Sequence, residues 1–386
     1  MGCPIVSKRA RASRLDCILM KFASPRAIII RTPNWIGDVV MATPALGSIR
    51  RCFPHSRITL FGVPSALALL EGAPWFDSLL QCDLPESRFA LRAALRLAGR
   101  IRSEHFDLGI LFTNSFSSAL LFWLGGVKRR VGYASDGRAL LLTDRINRPE
   151  RGPGKRMPTR EYLAGVANFL GCVDETSGRM ELFTRENSRL RAREMLESCG
   201  ASFKRPLVGL VPGSSYGPAK RWPARYFAQL ADRLQKELSA EVVILVSPAE
   251  REVASEVVRN MKTQILPLHE KEMSIPLLKA VIEVLDLVVT NDTGPRHIAA
   301  AFGKPLVTIF GSSDPALTKI NFEKEVELVS DVDCAPCELR NCPTDHRCME
   351  RLSPDEVFSA AKSLLQKFPP LCRPPEPRFA KGDFPS

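Results

Sequence analysis

A loop with two adjacent cations follows an apolar segment in the second half of the chain. Residues 208–223 read V-G-L-V-P-G-S-S-Y-G-P-A-K-R-W-P, which predicts a buried strand, a loop and a helix that begins near Pro223. Lys220 is a compact positive charge suited to a phosphate oxygen, and the backbone N–H groups of such a loop favour anions. The loop is therefore a candidate diphosphate site, and a plain turn with exposed cations is the alternative.

A second candidate anion loop lies at residues 288–300, V-V-T-N-D-T-G-P-R-H-I-A-A. Asp292, Thr293 and Gly294 precede a predicted helix, whose amino end attracts anions. Asp292 would repel a phosphate but could accept hydrogen bonds from sugar hydroxyls. Asp292 or Thr293 could instead cap the helix. His297 suits a structural role as well as a ligand contact.

A carboxylate in the first half could act as a base. Asp38 lies in N-W-I-G-D-V-V-M-A-T-P (34–44), where a predicted strand passes into a helix. A carboxylate that faces a cleft could deprotonate an acceptor hydroxyl. An ordinary first-turn acid or helix cap is the alternative.

The cysteines raise the question of a metal site. The chain has 11, an odd number that argues against a secreted disulfide scaffold and for a reducing cytoplasm. Cys334, Cys337, Cys342 and Cys348 form C-x-x-C-x4-C-x5-C, a zinc-like pattern with a short second spacing. A stapled loop or free thiols are the alternatives, and we expect less than one metal ion per chain.

These residues lie between strands and helices that alternate along the chain. Apolar runs such as 27–31, 106–113, 207–211 and 305–310 are separated by segments of helical periodicity, which predicts an α/β fold with parallel sheets. Two such halves joined by a polar hinge imply a cleft between them. The expected parts are a basic N-terminal extension (1–25), two Rossmann-like domains (26–185 and 186–368) and a disordered Pro-rich tail (369–386). The sequence leaves open whether the last helix (354–367) returns to the first domain.

Composition narrows the function. The net charge of +12 in 386 residues suggests an anionic partner: a nucleotide, a nucleic acid or an acidic lipid surface. The chain has neither G-x-G-x-x-G nor G-x-x-x-x-G-K-[ST], which disfavours dinucleotide dehydrogenases and P-loop NTPases. No apolar run reaches the ~20 residues of a membrane span. The N-terminal apolar segment is interrupted by Asp16 and Lys21, so we expect no signal peptide.

Basic runs concentrate in the first half, at 50–51, 128–130 and 151–160. They lack the interleaved aromatics of a platform for single-stranded nucleic acid. An acidic membrane surface or a phosphorylated acceptor therefore fits better.

Taken together, the motifs resemble the ADP-heptose:lipopolysaccharide heptosyltransferases, glycosyltransferase family 9. The resemblance covers about residues 26–367. Its segments are N-W-I-G-D-V-V-M-A-T-P (34–44), P-G-S-S-Y-G-P-A-K-R-W-P (212–223), N-D-T-G-P-R-H-I-A-A-A-F-G-K-P (291–305) and D-H-R-C-M (345–349). Within the family, G-P-A-K-R-W-P is more similar to heptosyltransferase II than to I. Ser214-Ser215 stands where Ala-Glu is more usual, and Arg296, where Met or Leu is common, adds a cation beside the donor site.

The resemblance implies a GT-B architecture, with the acceptor on the N-terminal domain and ADP-heptose on the C-terminal one. It implies an inverting, metal-independent transfer of heptose to the heptosyl-Kdo-lipid A inner core, without a cofactor. Asp38 would be the general base, and Lys220 would bind the diphosphate. The implied donor contacts are Pro212, Gly213, Ser214, Lys220, Arg221, Asp292, Thr293, Gly294 and His297. The protein would be a monomer that works at the cytoplasmic face of the inner membrane, on anionic lipid, without nucleic acid.

Other functions stay open at this point. A heptosyltransferase I- or III-type enzyme would use another acceptor, and a GT-B sugar-nucleotide epimerase or hydrolase would use the same cleft for other chemistry. A basic module that binds acidic lipid or nucleic acid would need no catalysis, and steep salt dependence would reveal it.

Overall fold

The computed structural model describes residues 25–82, 90–149, 157–173 and 178–370. The expected N-terminal extension (1–25) and Pro-rich tail (369–386) lie almost entirely outside these residues, as does much of the basic run at 151–160. Among the described residues, no helix is both long and apolar enough to cross a membrane.

The first half forms a parallel sheet of six strands in the order β3-β2-β1-β4-β5-β6. The strands are β1 (Ala27–Arg31), β2 (Arg57–Gly62), β3 (Ser78–Gln81), β4 (Leu108–Leu111), β5 (Arg129–Tyr133) and β6 (Asp144–Ile146). The helices are α1 (Ile36–Met41), α2 (Thr43–Cys52), α3 (Pro64–Leu70), α4 (Ala90–Ser103), α5 (Phe116–Leu124) and α6 (Thr159–Phe169). A 3-10 turn spans Arg138–Leu141.

The second half forms a parallel sheet of five strands in the order β11-β10-β9-β7-β8. The strands are β7 (Leu207–Val211), β8 (Glu241–Ile244), β9 (Leu287–Asn291), β10 (Leu306–Phe310) and β11 (Glu325–Val329). The helices are α7 (Glu186–Ser198), α8 (Ala224–Leu238), α9 (Arg251–Asn260), α10 (Ile275–Val284), α11 (Gly294–Ala301), α12 (Arg347–Glu350) and α13 (Pro354–Lys367). The expected α/β fold with two parallel sheets is confirmed.

The central strands are the apolar runs that the sequence indicates. Every residue of β1, β7, β9 and β10 is buried, because helices cover both faces of each sheet. Pro44 lies in the first turn of α2, after α1 has ended at Met41. Proline is tolerated there because a first-turn N–H has no partner within the helix.

Two edge strands were not predicted from the sequence. β6 has the sequence D-R-I, and β11 has the sequence E-V-E-L-V with none of its residues fully buried. Edge strands need no apolar run, because only one neighbour pairs with them and water reaches part of their surface. β6 is too short to show a period, whereas the alternation of polar and apolar residues in β11 is a strand pattern that the sequence analysis did not use.

The last helix, α13, is capped by Ser353, whose side chain forms a reciprocal capping box with that of Glu356. Its buried residues Val357 and Phe358 join the core of the second half, and the helix packs on α8, β9 and β10. The structure therefore places α13 on the second sheet, and not on the first domain, the alternative that the sequence left open.

The two halves are packed against each other. Helix α1 packs on α11, and α3 packs on α10, so elements of both halves meet directly. One continuous apolar cluster includes Val39 and Leu69 from the first half and Ile282 and Ile298 from the second. The carboxyl ends of the strands of both sheets lead into this junction.

Candidate active site

The strand orders locate the site. In the first sheet the order in which successive strands are added reverses between β1 and β4, and in the second it reverses between β7 and β9. Ligands of open α/β sheets bind outside the carboxyl ends of the strands at such switch points. Asp38 follows β1, the loop at 212–223 follows β7 and the loop at 291–294 follows β9. All three motifs therefore lie at switch points.

A cavity of about 460 Å³ lies where these loops meet. Its lining includes most of the residues that the sequence analysis proposed: Asp38, Gly213, Ser214, Lys220, Asp292, Thr293, Gly294 and His297. Asp38 and Lys220, from opposite halves, thus share one gap. Pro212 and Arg221 do not line it. The guanidinium of Arg221 instead donates a hydrogen bond to the carbonyl of Ser214, within the loop.

Asp292 orients Lys220. The Lys220 ammonium donates to Oδ2 of Asp292 at 2.8 Å, and Oδ1 of Asp292 accepts from Arg296 and Thr318, each at 3.2 Å. Burial alone would raise the pKa of Asp292, but Lys220 and Arg296 hold it down at about 2. The carboxylate is therefore charged at neutral pH and holds the ammonium at the cavity wall.

Arg296 does not add a cation to the cavity, contrary to the expectation from the sequence. Its side chain is fully buried and also pairs with Glu325 at 2.6 Å and Glu327 at 2.8 Å, both on the edge strand β11. A buried guanidinium needs such partners to offset its desolvation. The sequence could not show this arrangement because β11 itself was not predicted.

Asp38 lies in the first turn of α1, whose N-cap residue is Trp35, so Asp38 is a first-turn acid that also lines the cavity and does not cap the helix. Burial raises the pKa of Asp38 to about 6, the negative charge of Asp292 adds to the rise, and Lys220 opposes it. A carboxyl group of this pKa is mostly ionised at neutral pH and more basic than an ordinary aspartate. It suits proton abstraction.

Two glycines allow helices α1 and α11, from the two halves of the chain, to pack closely at their amino ends. A Cβ atom at Gly37 would lie 2.8 Å from Cδ2 of His297, and one at Gly294 would lie 2.9 Å from Cγ2 of Ile36. The amino ends of α1 and α11 therefore meet at a distance that larger residues would prevent. Burial lowers the pKa of His297 to about 3, helped by Arg296, so the imidazole is neutral.

The amino end of α11 is open to a ligand. Thr293 occupies the N-cap position but makes no capping hydrogen bond with its side chain. Its hydroxyl lies instead 3.2 Å from that of Thr290. The alternative in which the side chain of Thr293 caps the helix is therefore wrong. Pro295 has no N–H, and the N–H of Arg296 donates to the carbonyl of Thr293, so the amino end offers an anion the N–H of Gly294 and the helix dipole.

Asn291 joins the two loops of the second half. Its amide nitrogen donates to the carbonyls of Pro212 at 2.9 Å and Gly213 at 3.2 Å, and its Oδ1 accepts from the backbone N–H of Trp222 at 3.0 Å. A buried side chain that satisfies three backbone groups fixes the relative position of both loops.

Several cavity residues were missed by the sequence analysis, among them Trp35, Tyr216 and Glu250. One carboxylate oxygen of Glu250 accepts from the hydroxyl of Ser247 at 2.7 Å, and the other has no partner among the described residues. A Cβ at Gly213 would lie 2.5 Å from this carboxyl group, so the glycine makes room for it. The capping box Ser247-Pro-Ala-Glu250 was the available signal.

The cysteine segment braces the cationic loop. The carbonyl of Arg340 accepts from the N–H of Ala219 at 3.0 Å, and His346 Nε2 lies 3.0 Å from the carbonyl of Ala219. The carbonyl of Glu338 accepts from the hydroxyl of Tyr216 at 2.7 Å. Among the described residues, which include all the candidate ligands from Cys334 to Cys348, no three metal-ligating groups are gathered around one point.

Comparison with known proteins relates this chain to one family of glycosyltransferases. The model of a family described as glycosyltransferase family 9 (heptosyltransferase) matches residues 94–347. The lipooligosaccharide heptosyltransferase 2 of Campylobacter jejuni subsp. jejuni serotype O:2 is 29% identical over 352 residues, which cover 88% of this chain and 98% of that protein.

Solved structures share the fold. A glycosyltransferase family 9 protein from Veillonella parvula superposes with a TM-score of 0.77 at 24% identity, over 89% of this chain and 97% of that one. The ADP-heptose heptosyltransferase II of E. coli superposes with a TM-score of 0.71 at 23% identity, over 88% of this chain and 99% of that one. The expected GT-B architecture is confirmed.

Proposed function

Because the chain belongs to glycosyltransferase family 9 and is a glycosyltransferase of lipopolysaccharide core biosynthesis, we propose that it transfers heptose from ADP-heptose to a heptosyl-Kdo-lipid A acceptor. The observation that carries the proposal is the shared cavity of Asp38 and Lys220. Displacement of a nucleotide from a sugar by an alcohol requires a base for the proton of the alcohol and a cation for the leaving phosphate. The two halves of the chain supply one each.

The proposed reaction is a single inverting displacement. The acceptor oxygen attacks the anomeric carbon of heptose as Asp38 takes its proton, and the bond from that carbon to the β-phosphate oxygen breaks. ADP leaves with an added negative charge. Lys220 and the open amino end of α11 stabilise this charge, and one well-placed donor of this kind contributes about 3 kcal/mol. The chemistry needs no metal ion.

The cavity suggests how the donor lies. Leu245, Met273, Ile275 and Leu278 form an apolar region of its wall that suits the adenine ring. Glu250 also lines the cavity, and its carboxylate can accept hydrogen bonds from ribose hydroxyls. The diphosphate then extends toward Lys220 and Gly294, and the anomeric carbon toward Asp38.

The acceptor assignment is supported by the names of the relatives, such as the Campylobacter jejuni lipooligosaccharide heptosyltransferase 2. An enzyme with the acceptor of a heptosyltransferase I or III is the alternative. We also propose that the protein is a monomer that contacts the anionic cytoplasmic face of the inner membrane.

Replacing Asp38 tests the base. We expect Asp38→Asn to lower kcat by about 100- to 10,000-fold, because a positioned general base contributes that much. Affinity for ADP, measured by calorimetry, should stay within about threefold, because the nucleotide contacts are untouched. Asp136→Asn is the matched control: Asp136 has a positive φ of 51°, which Asn tolerates, and it does not line the cavity.

The assay runs with ADP-heptose alone, with heptosyl-Kdo-lipid A and with Kdo-lipid A that lacks heptose. Consumption of donor without any acceptor would indicate a hydrolase or epimerase instead. Transfer only to the acceptor that lacks heptose would indicate the heptosyltransferase I reaction. Wild-type turnover by Asp38→Asn would remove Asp38 as the base.

A further inference from the structure

One outward face of the first half is apolar. Helices α4 and α5 and the 3-10 turn at Arg138–Leu141 pack side by side. On α5, Phe116, Leu120 and Trp123 follow one another at helical spacing, on the side opposite the buried residues Ser118, Leu121 and Phe122. The exposed fractions on this face are 71% for Leu91, 52% for Leu95, 46% for Phe116, 52% for Trp123 and 87% for Leu140. These three elements form what we call the outer face.

The charges of the outer face have one sign. Helix α4 carries four exposed arginines, Arg92, Arg96, Arg100 and Arg102, and neither α4, α5 nor the 3-10 turn contains an aspartate or glutamate. Arg102 also donates to the carbonyl of Leu124 at 2.8 Å, which ties α4 to the end of α5. A lipid bilayer has anionic headgroups above acyl chains. The exposed leucines and the tryptophan suit the acyl chains, and the arginines among them suit the headgroups.

The outer face adjoins the reaction site. Helix α5 begins directly after the carboxyl end of β4, and α1, which carries Asp38, begins after the carboxyl end of β1. β1 and β4 are neighbouring parallel strands, so the amino ends of α1 and α5 lie at the same sheet edge. A surface bound at the amino ends of α4 and α5 would therefore lie at the end of the sheet that opens into the gap, although the sheet itself separates α5 from α1.

We propose that the outer face docks the first domain on an anionic phospholipid bilayer. The side chains of Leu91, Leu95 and Trp123 enter the boundary between headgroups and acyl chains, and Arg92 and Arg96 bind lipid phosphates. This docking rests on the proposed function, since only a lipid-linked acceptor requires it. A second copy of this chain is a poorer occupant, because two arginine faces without acidic residues repel each other.

Vesicle binding by the full chain tests the charge component. Vesicles of phosphatidylglycerol with phosphatidylcholine are compared with phosphatidylcholine alone. Each arginine near an anionic surface contributes about fivefold to partitioning, so Arg92→Glu with Arg96→Glu should weaken binding by roughly 30-fold or more. The matched control, Lys236→Glu with Lys362→Glu, changes net charge equally on exposed positions of α8 and α13. It should stay within about threefold, because these helices lie in the second half.

Trp123 reports insertion. Lipids with brominated acyl chains should quench the fluorescence of the bound wild-type protein. Trp123→Phe should remove most of that quenching, because Trp75 and Trp222 are buried and Trp35, although 56% exposed, lies at the cavity and not on the outer face. Leu91→Asp with Leu95→Asp should abolish both binding and quenching. Equal binding to phosphatidylcholine alone, unchanged binding by the arginine variant, or a dimer that the leucine variant converts to a monomer would each overturn the docking.

Transfer to a deacylated acceptor in solution separates this inference from the function itself. Variants of the outer face that still transfer heptose to the deacylated acceptor but no longer bind vesicles would support the docking. If the wild-type chain transfers no heptose to any acceptor, the proposed function fails, whereas vesicle binding and quenching still decide the docking.

Discussion

Two aspartates in the cavity are kept in different states by their neighbours. Asp292 has two cationic partners that hold its pKa at about 2, whereas burial and then the charge of Asp292 raise the pKa of Asp38 to about 6. When environments push the pKa values of two groups apart, the groups take different roles. Asp292 is a permanent anion that positions Lys220, and Asp38 is the group able to gain a proton during turnover.

The pH dependence of kcat/KM should show this difference. Asp38 must be ionised to accept a proton, so kcat/KM should rise with pH through about 6 and level off above it. Asp292→Asn removes the nearby negative charge and should move this limb to lower pH. Lys220→Met removes the opposing positive charge and should move it to higher pH.

Steady-state kinetics between pH 4.5 and about 8 would measure these shifts. His297 cannot produce the limb, because burial lowers its pKa to about 3. Identical limbs in the wild type and both variants would mean that Asp38 is not the titrating group.

At the scale of secondary structure, the site depends on where short helices begin. Helices α1 and α11 contribute Asp38, Gly294 and His297, and both begin at the carboxyl end of a central strand. Asn291 fixes the cationic loop to the second of these strands, and the cysteine segment covers the same loop from outside. Each functional group is thus held by an element that has little freedom to move.

Gly37→Ala tests the close approach of α1 and α11. The added Cβ would lie 2.8 Å from the ring of buried His297, so one of the helices must shift. A displacement of about 1 Å can lower a rate by roughly 100-fold, and we expect kcat/KM on a soluble acceptor to fall by about 10- to 100-fold.

Gly99→Ala is the matched control for this substitution. It also lies within a helix, but a Cβ there meets nothing within 4 Å. Its kcat/KM should not change, and its free energy of unfolding should rise by up to about 1 kcal/mol. Full activity of Gly37→Ala would show that the contact between the helix ends does not matter for transfer.

At the scale of the whole molecule, a buried lysine links the two halves. Lys279 of α10 is 1% exposed and donates to the carbonyls of Leu69 and Glu71, at the end of α3, at 2.8 Å each. A cation at the carboxyl end of a helix also interacts favourably with the helix dipole. Nevertheless, burial lowers the pKa of Lys279 to about 8, although the negative charges of Glu71 and Glu283 act to raise it.

This lysine should make stability depend on pH. Its pKa is lower in the folded than in the unfolded chain, so between pH 8 and 10.5 the unfolded chain binds more protons and the free energy of unfolding rises with pH. Below pH 8 the desolvation penalty is fully present. Relative to Lys279→Met, the wild type should gain roughly 3 kcal/mol across this window.

Urea denaturation of both proteins at several pH values would measure the difference. Titration of the other groups cancels in the comparison, because it is common to both chains. A constant difference between wild type and Lys279→Met from pH 8 to 10.5 would mean that Lys279 is not desolvated in the folded protein.

Much of this fold is determined by local sequence. Apolar runs such as Ala27–Arg31 and Leu207–Val211 can be satisfied only as strands covered on both faces, and Ser353 with Glu356 defines a helix start without tertiary information. The phosphate-binding loop and the base could likewise be proposed from residue types at strand ends, because parallel strands bring their carboxyl ends to one edge.

Tertiary structure alone decided which of those residues share the cavity and what they contact there. Lys220 and Asp292 are 72 residues apart, and their pairing follows from the adjacency of β7 and β9. Arg296 is turned away from the cavity by Glu325 and Glu327, which follow it by 29 and 31 residues, and the side chain of Glu250 has room at the cavity because Gly213 has no Cβ. Sequence determines local conformation through nearest neighbours, whereas charge pairing and burial depend on residues that only the folded chain brings together.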